Sequence, residues 1–157
     1  MEEEVSLRFL NSDDAEAISI IERDCFSNPW PTEAIRLELT RENSLCVGIF
    51  LGDEMVGYSV NYVVLDELHV LRIGVKQSMR RCGCAKRAIV CVLKEAFARG
   101  AKRAFLEVRK SNVIAQELYK HAGFSVVGER KEYYIDNSEN AILMCCEMPS
   151  GNFNPIL

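Results

Sequence analysis

Hydrophobic residues recur along the 157-residue chain with two different spacings, one typical of a strand and one typical of a helix. Both spacings occur in the first third of the chain. Apolar residues at every second position predict a strand over Val5–Phe9, and the polar run 11–14 has the turn and N-cap residues that precede a helix. In that helix the apolar side chains recur at spacings of three and four: Ala17, Ile18, Ile21 and Cys25. Asn28-Pro29 ends it, and a second short helix is predicted after the N-cap candidate Thr32.

The middle of the chain predicts three strands followed by the clearest helix. Residues 45–64 are rich in Val, Tyr and Leu and are interrupted by Gly52-Asp53, which indicates two antiparallel strands joined by a tight turn. Residues 68–75 predict a third strand. The helix that follows ends before Gly100, and its apolar stripe consists of Ala85, Ala88, Ile89, Val92, Leu93 and Ala96.

The last third of the chain predicts four further elements. They are a strand over 104–108, a helix over 113–122 and two closing strands over 125–134 and 141–148. Asn112 or Ser111 is the N-cap candidate of the helix, and Gly123 suits a left-handed C-cap. The polar run 136–140 predicts the turn between the closing strands.

Length, composition and charge narrow the class of protein. A chain of 157 residues has room for one ordinary domain, which we expect over 1–149 as a mixed α/β fold, with 150–157 as a tail without periodicity. A formal net charge of −4 argues against a surface that neutralises nucleic-acid phosphates. No apolar run approaches the roughly 20 residues of a membrane helix. We therefore expect neither nucleic acid nor a membrane as partner.

The cysteines and the N-terminal residues indicate the cellular compartment in which we expect the protein. The chain has seven cysteines, an odd number, and its first residues, Met1-Glu2-Glu3-Glu4, are acidic rather than the basic and apolar start of a secretion signal. We expect reduced thiols in a cytoplasmic protein. His69 and His121 lack the spacing to cysteine that zinc sites use, so no metal is expected.

A candidate anion site follows the third strand of the middle segment. The run Arg80-Arg81-Cys82-Gly83-Cys84-Ala85 leads from that strand into the clearest helix. Free backbone N–H groups and the helix dipole favour phosphate oxygens at such a point, and small residues let the backbone approach them. The pattern alone also fits an ordinary solvated first turn of a helix, so the motif becomes specific only through its context.

Several segments together resemble the RimI family of the GNAT superfamily, the ribosomal-protein alanine N-acetyltransferases. The similar segments are 26–30 (Phe-Ser-Asn-Pro-Trp), 64–67 (Val-Leu-Asp-Glu), 73–75, 80–85, 106–112, 118–119, 123–124 and 133–134. The resemblance implies a GNAT α/β fold with a mixed, mostly antiparallel sheet flanked by helices. It also implies acetyl-CoA as cosubstrate and, as acceptor, the N-terminal amine of a protein such as a ribosomal protein.

The resemblance also implies which residues hold the cosubstrate. Backbone groups of Ile73, Gly74 and Val75 are expected to meet the pantetheine and acetyl parts, and Asn112 is expected to contact the cosubstrate as well. A glycine at position 74 suits a bulged or splayed strand that aims an N–H at the oxyanion. The pyrophosphate is assigned to Arg80, Arg81, Cys82, Gly83, Cys84, Ala85 and Lys86. The departure from the family pattern is Ala85, where glycine is common.

By the same resemblance, Glu107 is the general base and Tyr119 the general acid. An ammonium group must lose a proton before it attacks, and the departing thiolate needs one. The alternative for Glu107 is a solvent-facing strand residue, and for Tyr119 a core aromatic. Three aromatic residues are expected at the acceptor groove, with ordinary packing as the alternative: Trp30, Tyr133 and Tyr134.

Proton affinity favours an N-terminal α-amine over a lysine amine as the acceptor. The α-amino group has a reference pKa of about 7.7–8.0, against about 10.4 for lysine, so more of it is neutral at physiological pH. This comparison favours an N-terminal amine without excluding a lysine or a small amine. A non-catalytic acyl-CoA-binding module is a further alternative, against which the presence of Glu107 and Tyr119 speaks.

Overall fold

The computed structural model describes residues 4–149, 151 and 153–155. Its strands and helices follow the predicted order. They are β1 (Val5–Phe9), α1 (Ala15–Cys25), α2 (Thr32–Thr40), β2 (Val47–Leu51), β3 (Glu54–Val64), β4 (Glu67–Val75), α3 (Cys84–Ala98), β5 (Arg103–Arg109), α4 (Val113–His121), β6 (Ser125–Arg130) and β7 (Ala141–Glu147). Short 3₁₀ turns cover Ser12–Asp14 and Gln77–Met79.

The seven strands form one sheet in the order β1-β2-β3-β4-β5-β7-β6. Every neighbouring pair is antiparallel except β4 and β5, which run parallel because α3 carries the chain back between them. The mixed, mostly antiparallel sheet flanked by helices confirms the predicted GNAT fold.

Helices cover both faces of the sheet. The apolar stripe of α3, with Ile89 and Leu93 fully buried, belongs to the largest core, which also contains Phe124 and Met144. The helices α1 and α2 cover the opposite face of β2–β4, and their core contains Ile18, Ile35 and Tyr58. The periodic positions that predicted the helices are therefore the positions that they bury.

Two details of the sequence prediction are wrong. The strand predicted to reach Tyr134 ends at Arg130, because Glu132 has a φ of 52° and its N–H donates to Asn140 Oδ1 at 2.9 Å in a turn. Thr32 is the first residue of α2 rather than its N-cap, and its hydroxyl forms a hydrogen bond with Ser19 Oγ at 2.8 Å. Neither the contact of Glu132 with Asn140 nor that of Thr32 with Ser19 is visible in the local sequence pattern.

The two ends of the chain are described only in part. The acidic N-terminal residues 1–3 and the tail residues 150, 152, 156 and 157 lie outside the described residues. Of the tail, Phe153 packs against the largest core, with its ring centroid 5.3 Å from that of Phe97. The division into a domain over 1–149 and a tail stays a prediction.

Candidate active site

The sheet opens between β4 and β5. These strands pair only from Glu67 with Arg103 to Val70 with Leu106. Beyond that point β4 continues to Val75 beside β3, and β5 continues to Arg109 beside β7. The edges of β4 and β5 that face each other have no strand partner there, and an unpaired strand edge can bind an extended ligand through its backbone.

Backbone alternation decides which residues of β4 face the opening. The N–H of Lys76 donates to the carbonyl of Val56 on β3 at 2.8 Å. Since hydrogen-bonding direction alternates along a strand, Gly74 also bonds towards β3, whereas the N–H and C=O of Ile73 and Val75 point to the opposite edge. The Val75 carbonyl already accepts hydrogen bonds from Cys25 Sγ and Arg80 Nε, both at 3.2 Å. Of the three residues predicted to offer backbone groups, Ile73 with its N–H and C=O and Val75 with its N–H are therefore the two that can serve a ligand.

Gly74 is needed for a reason other than the predicted one. The β3–β4 pairing is irregular where Val60 pairs with Arg72 and Asn61 with Val70, which leaves Leu71 of β4 as the extra residue. The pairing at Gly74 is regular, so no bulge at that position aims the Gly74 N–H into the opening. A Cβ at this position would lie 2.7 Å from Cε1 and 2.9 Å from the hydroxyl of Tyr58. Glycine therefore provides the space in which the Tyr58 ring packs.

The loop before α3 has the geometry of an anion site. Gly83 precedes the helix with φ 75° and caps it without a side-chain hydrogen bond, and Arg81 also has a positive φ of 63°. The first backbone bond into the helix is that of the Arg87 N–H to the Gly83 carbonyl, so the N–H groups of the three preceding helical residues have no intrahelical acceptor. These free donors and the helix dipole favour a phosphate.

The side chains of this loop divide into two groups. Arg81 and Cys82 are exposed and Lys86 is half-buried, whereas Cys84 is buried under the loop. Arg80 turns back, and its Nε donates to the Val75 carbonyl at 3.2 Å. Arg81 and Lys86 are therefore the free positive charges at this helix end, while Arg80 fixes the loop to the end of β4.

Glu107 is the first residue of β5 beyond its last pair with β4. As predicted, Phe105 and Glu107 share the face opposite to the buried Leu106. The Glu107 side chain is 32% exposed, and its Oε1 lies 3.8 Å from Arg130 Nε. The neighbouring Tyr133 has a raised pKa, first because of its interaction with the Glu107 carboxylate and then because of partial burial. The carboxylate thus lies at the point where β5 leaves β4, with both a cation and a phenol beside it.

Tyr119 combines a buried ring with an available hydroxyl. The ring packs edge-on against Phe124 at 5.8 Å, and burial raises the pKa of Tyr119 to about 12. No described residue forms a hydrogen bond with its hydroxyl, yet no described side chain has a fully buried polar atom without a partner. The hydroxyl therefore keeps contact with solvent and remains a proton donor at neutral pH. Both interpretations, core aromatic and acid, fit this residue.

The loop between β6 and β7 carries two tyrosines and is fixed by charge. Arg109 lies over the Tyr134 ring at 4.0 Å and pairs with Asp136 at 2.9 Å. Glu139 accepts the Ser111 N–H at 2.7 Å, and its hydrogen bonds with Ser111 lower the pKa of Glu139 to about 2. These contacts tie the loop to the end of β5 and the start of α4. Within the loop, the ring centroids of Tyr133 and Tyr134 are 5.1 Å apart.

Asn112 has a structural task at the start of α4. Its Oδ1 accepts the Ala115 N–H at 3.1 Å, as an N-cap does, and the residue is exposed. The cap leaves the amide nitrogen of the side chain available for another partner. The prediction that Asn112 contacts the cosubstrate stays a prediction.

A buried ionic cluster, which sequence reasoning missed, lies beside Trp30. Glu22 on α1 is fully buried, and its carboxylate accepts hydrogen bonds from Arg72 Nε at 2.8 Å and Arg72 Nη2 at 3.0 Å. The Trp30 N–H donates to the same carboxylate at 2.9 Å, and so does the Tyr58 hydroxyl. Burial, and then the bond to Glu22, raise the pKa of Tyr58 well above its ordinary value.

One signal could have indicated this cluster. Glu22 follows Ile18 by four residues and precedes Cys25 by three, so it lies on the apolar stripe of the predicted helix. A carboxylate on a stripe that is buried needs a partner. The identity of that partner, 50 residues away in sequence, depends on how α1 packs on β4.

The fold and this opening define a class of acyl-transferring enzyme, and comparison with known families agrees. Residues 15–124 match the model of the acetyltransferase (GNAT) family, and the chain belongs to that family.

Relatives carry the comparison further. The chain is 31% identical over 137 residues to a ribosomal protein bS18-alanine N-acetyltransferase of Escherichia coli K12. The aligned region covers 86% of this chain and 92% of that protein. A Salmonella typhimurium protein of the same name is 30% identical over 141 residues, 88% and 95% of the two chains. The crystal structure of the ribosomal-protein-S18-alanine N-acetyltransferase from Escherichia coli superposes with a TM-score of 0.88 at 27% identity, over 98% of this chain and all of that one.

The described residues offer no competing site class. They contain no group of three or more His, Cys, Asp or Glu side chains placed to hold a metal ion. None of their helices has both the length and the apolar character needed to cross a bilayer. All seven cysteines are free.

Proposed function

We propose that this chain transfers an acetyl group from acetyl-CoA to the N-terminal α-amine of a ribosomal protein, and that the acceptor is the alanine N-terminus of bS18, as the names of its relatives suggest. The observation that carries the proposal is the position of Glu107, the first residue of β5 after β4 and β5 separate. A carboxylate at that point can reach an amine that attacks a ligand held on the β4 edge. Such an acceptor implies a cytoplasmic location.

The β4 edge and the loop before α3 are assigned to the cosubstrate. Acetyl-CoA supplies the acetyl group as a thioester. Ile73 and Val75 offer outward backbone groups to its extended arm, and the N–H groups at the start of α3 offer donors to its pyrophosphate. Arg81 and Lys86 add positive charge there. An N–H of the β4 edge also provides a donor for the oxyanion that forms when the amine attacks.

Glu107 handles the protons of the amine. An α-ammonium must lose one proton before its nitrogen lone pair attacks the thioester carbonyl, and the new amide loses a second. The Glu107 carboxylate accepts a proton directly or through a water, and the neighbouring solvent removes it. With a reference pKa of about 7.7–8.0, against about 10.4 for lysine, the α-amine gives up its first proton more readily than lysine does at neutral pH.

Tyr119 completes the reaction at the sulfur. When the C–S bond breaks, the electron pair moves to sulfur, and the thiolate takes a proton from the Tyr119 hydroxyl, which solvent then reprotonates. Because the pKa of Tyr119 is raised to about 12, the hydroxyl stays protonated throughout the physiological range. Trp30, Tyr133 and Tyr134 are assigned to the acceptor groove around these two groups.

The test is acetyl transfer to alanine-starting peptides that contain one internal lysine, with the N-terminus either free or blocked. We expect mass spectrometry to find one acetyl group on the α-nitrogen of the free peptides and none on the blocked ones. Acetyl-lysine on blocked peptides would contradict the N-terminal assignment. Binding of acetyl-CoA without transfer to any amine would contradict the enzymatic proposal.

A further inference from the structure

The guanidinium of Arg72 is held rigidly at the side of the opening. Its Nε and Nη2 donate to the buried Glu22 carboxylate, and Nη2 also reaches the Asn28 carbonyl at 3.4 Å. The group lies over the Phe26 ring at 3.7 Å and 5.0 Å from the Trp30 ring. Two-point hydrogen bonding combined with stacking leaves a planar guanidinium little freedom.

One end of this rigid group has no hydrogen-bond partner among the described residues. The second terminal nitrogen, Nη1, donates to no described residue, and the Arg72 side chain is 20% exposed. A group that served only to neutralise Glu22 would satisfy that task with Nε and Nη2. The remaining N–H groups are therefore positioned donors without an acceptor.

Their location is that of the acceptor. Arg72 and Gly74 occupy the same face of β4, about 7 Å apart along the strand, and Ile73 between them faces the opening with its backbone. An amine that attacks a thioester on this edge has its own neighbouring atoms within reach of Arg72. Trp30, which is assigned to the acceptor groove, and the nearby Phe26 both lie against the same guanidinium.

We propose that Arg72, oriented by Glu22, donates from Nη1 to the carbonyl oxygen of the acceptor's first residue and so selects α-amines. This inference rests on the proposed function. In a peptide N-terminus, a carbonyl lies one carbon away from the amine. In lysine, a stem of four methylene groups separates the amine from the backbone, so its carbonyl cannot reach the same donor. Glu22 is then a positioning residue and Arg72 a specificity-determining one.

The experiment compares an alanine peptide with its analogue in which the first carbonyl is reduced to a methylene. Each rate is referred to the concentration of neutral amine, because the reduction changes the proton affinity of the amine. We expect the wild-type protein to prefer the carbonyl peptide by about tenfold to a hundredfold in kcat/KM, the range for a hydrogen bond to a charged group. Arg72→Met should remove this preference, raise KM for the peptide and leave KM for acetyl-CoA unchanged.

Further variants separate positioning from structure. Arg72→Lys keeps the positive charge but loses the planar guanidinium with its several fixed N–H donors. Compared with Arg72→Met, it should restore only a small part of the preference for the carbonyl peptide. Glu22→Gln should reduce the preference in the same direction, since Arg72 loses its anionic partner. Arg99→Met removes a surface arginine paired with Glu95 far from the opening and should leave the preference intact.

The outcomes distinguish this inference from the function on which it rests. If the wild-type protein acetylates α-amines but treats both acceptors equally, or if Arg72→Met slows both equally, the role of Arg72 is overturned and the function stands. If the wild-type protein acetylates no α-amine, the function itself is overturned together with this inference. If Arg72→Met does not fold, the preference for the carbonyl peptide in the wild-type protein and in Arg72→Lys still tests the role of Arg72.

Discussion

The proposed cosubstrate side of the opening consists of β4 residues 73–75 and the loop 80–86, and the groups that it offers to a ligand are mostly backbone N–H and C=O. The proposed acceptor side consists of Glu22, Arg72, Glu107 and the loop between β6 and β7, and the groups that it offers are charged or aromatic side chains. Backbone groups stay in place when a side chain changes, whereas every acceptor contact can be altered by one substitution. Cofactor binding and acceptor choice should therefore respond separately to mutation.

Glu107→Gln is expected to have the largest effect on the rate of acetyl transfer. It should leave the binding of acetyl-CoA unchanged, because Glu107 belongs to the proposed acceptor side. The amide cannot take a proton from the amine, so kcat/KM should fall by about a hundredfold to ten-thousandfold. Because the side chain is partly exposed, the free energy of unfolding should change by less than about 0.5 kcal/mol. Steady-state transfer kinetics and acetyl-CoA titration measure both quantities. A full rate in this variant would remove Glu107 from the mechanism.

Tyr119→Phe keeps the buried ring and removes the donor. We expect kcat to fall by about a hundredfold, the lower end for a general acid, with unchanged affinity for acetyl-CoA. For the wild-type protein, the rate should rise as the acceptor amine loses its proton near pH 8. It should not fall again through Tyr119 until the pH nears the pKa of about 12. A decline already at pH 9 that disappears in Tyr119→Phe would contradict this assignment.

Lys86→Ala tests the charged part of the cosubstrate side. The loss of this half-buried cation should weaken coenzyme A binding by about two- to fivefold at low salt, and less at high salt. An acetyl-pantetheine thioester without phosphates should bind both proteins equally. Lys94→Ala, which removes an exposed cation from the same helix, serves as the control. Equal weakening by both variants would indicate a general effect of charge instead of a phosphate site.

The two sides also differ in how far the sequence predicts them. The turn at Gly83 and the start of α3 were predictable, because a glycine before an amphipathic helix is a local signal. The separation of β4 and β5, and the outward direction of Ile73 and Val75, follow from strand pairing that no local pattern contains. The Glu22–Arg72 pair joins residues 50 positions apart. Predicting the end of β6 failed for the same reason, since Glu132 bonds to Asn140 across a turn.

The smallest effect is expected from Glu139→Gln, which loosens the tyrosine loop on the acceptor side. The folded-state pKa of Glu139, about 2, lies below its ordinary value of 4.5, so its stabilising contribution is present above pH 4.5 and is lost as the pH falls towards 2. The wild-type protein should therefore lose more stability than the variant across this window, as followed by thermal unfolding. At neutral pH the variant should raise KM for the peptide more than KM for acetyl-CoA, because Ser111 loses a charged acceptor and the loop that holds Tyr133 and Tyr134 becomes less fixed. Parallel pH curves for the two proteins would show that the carboxylate of Glu139 does not hold this loop.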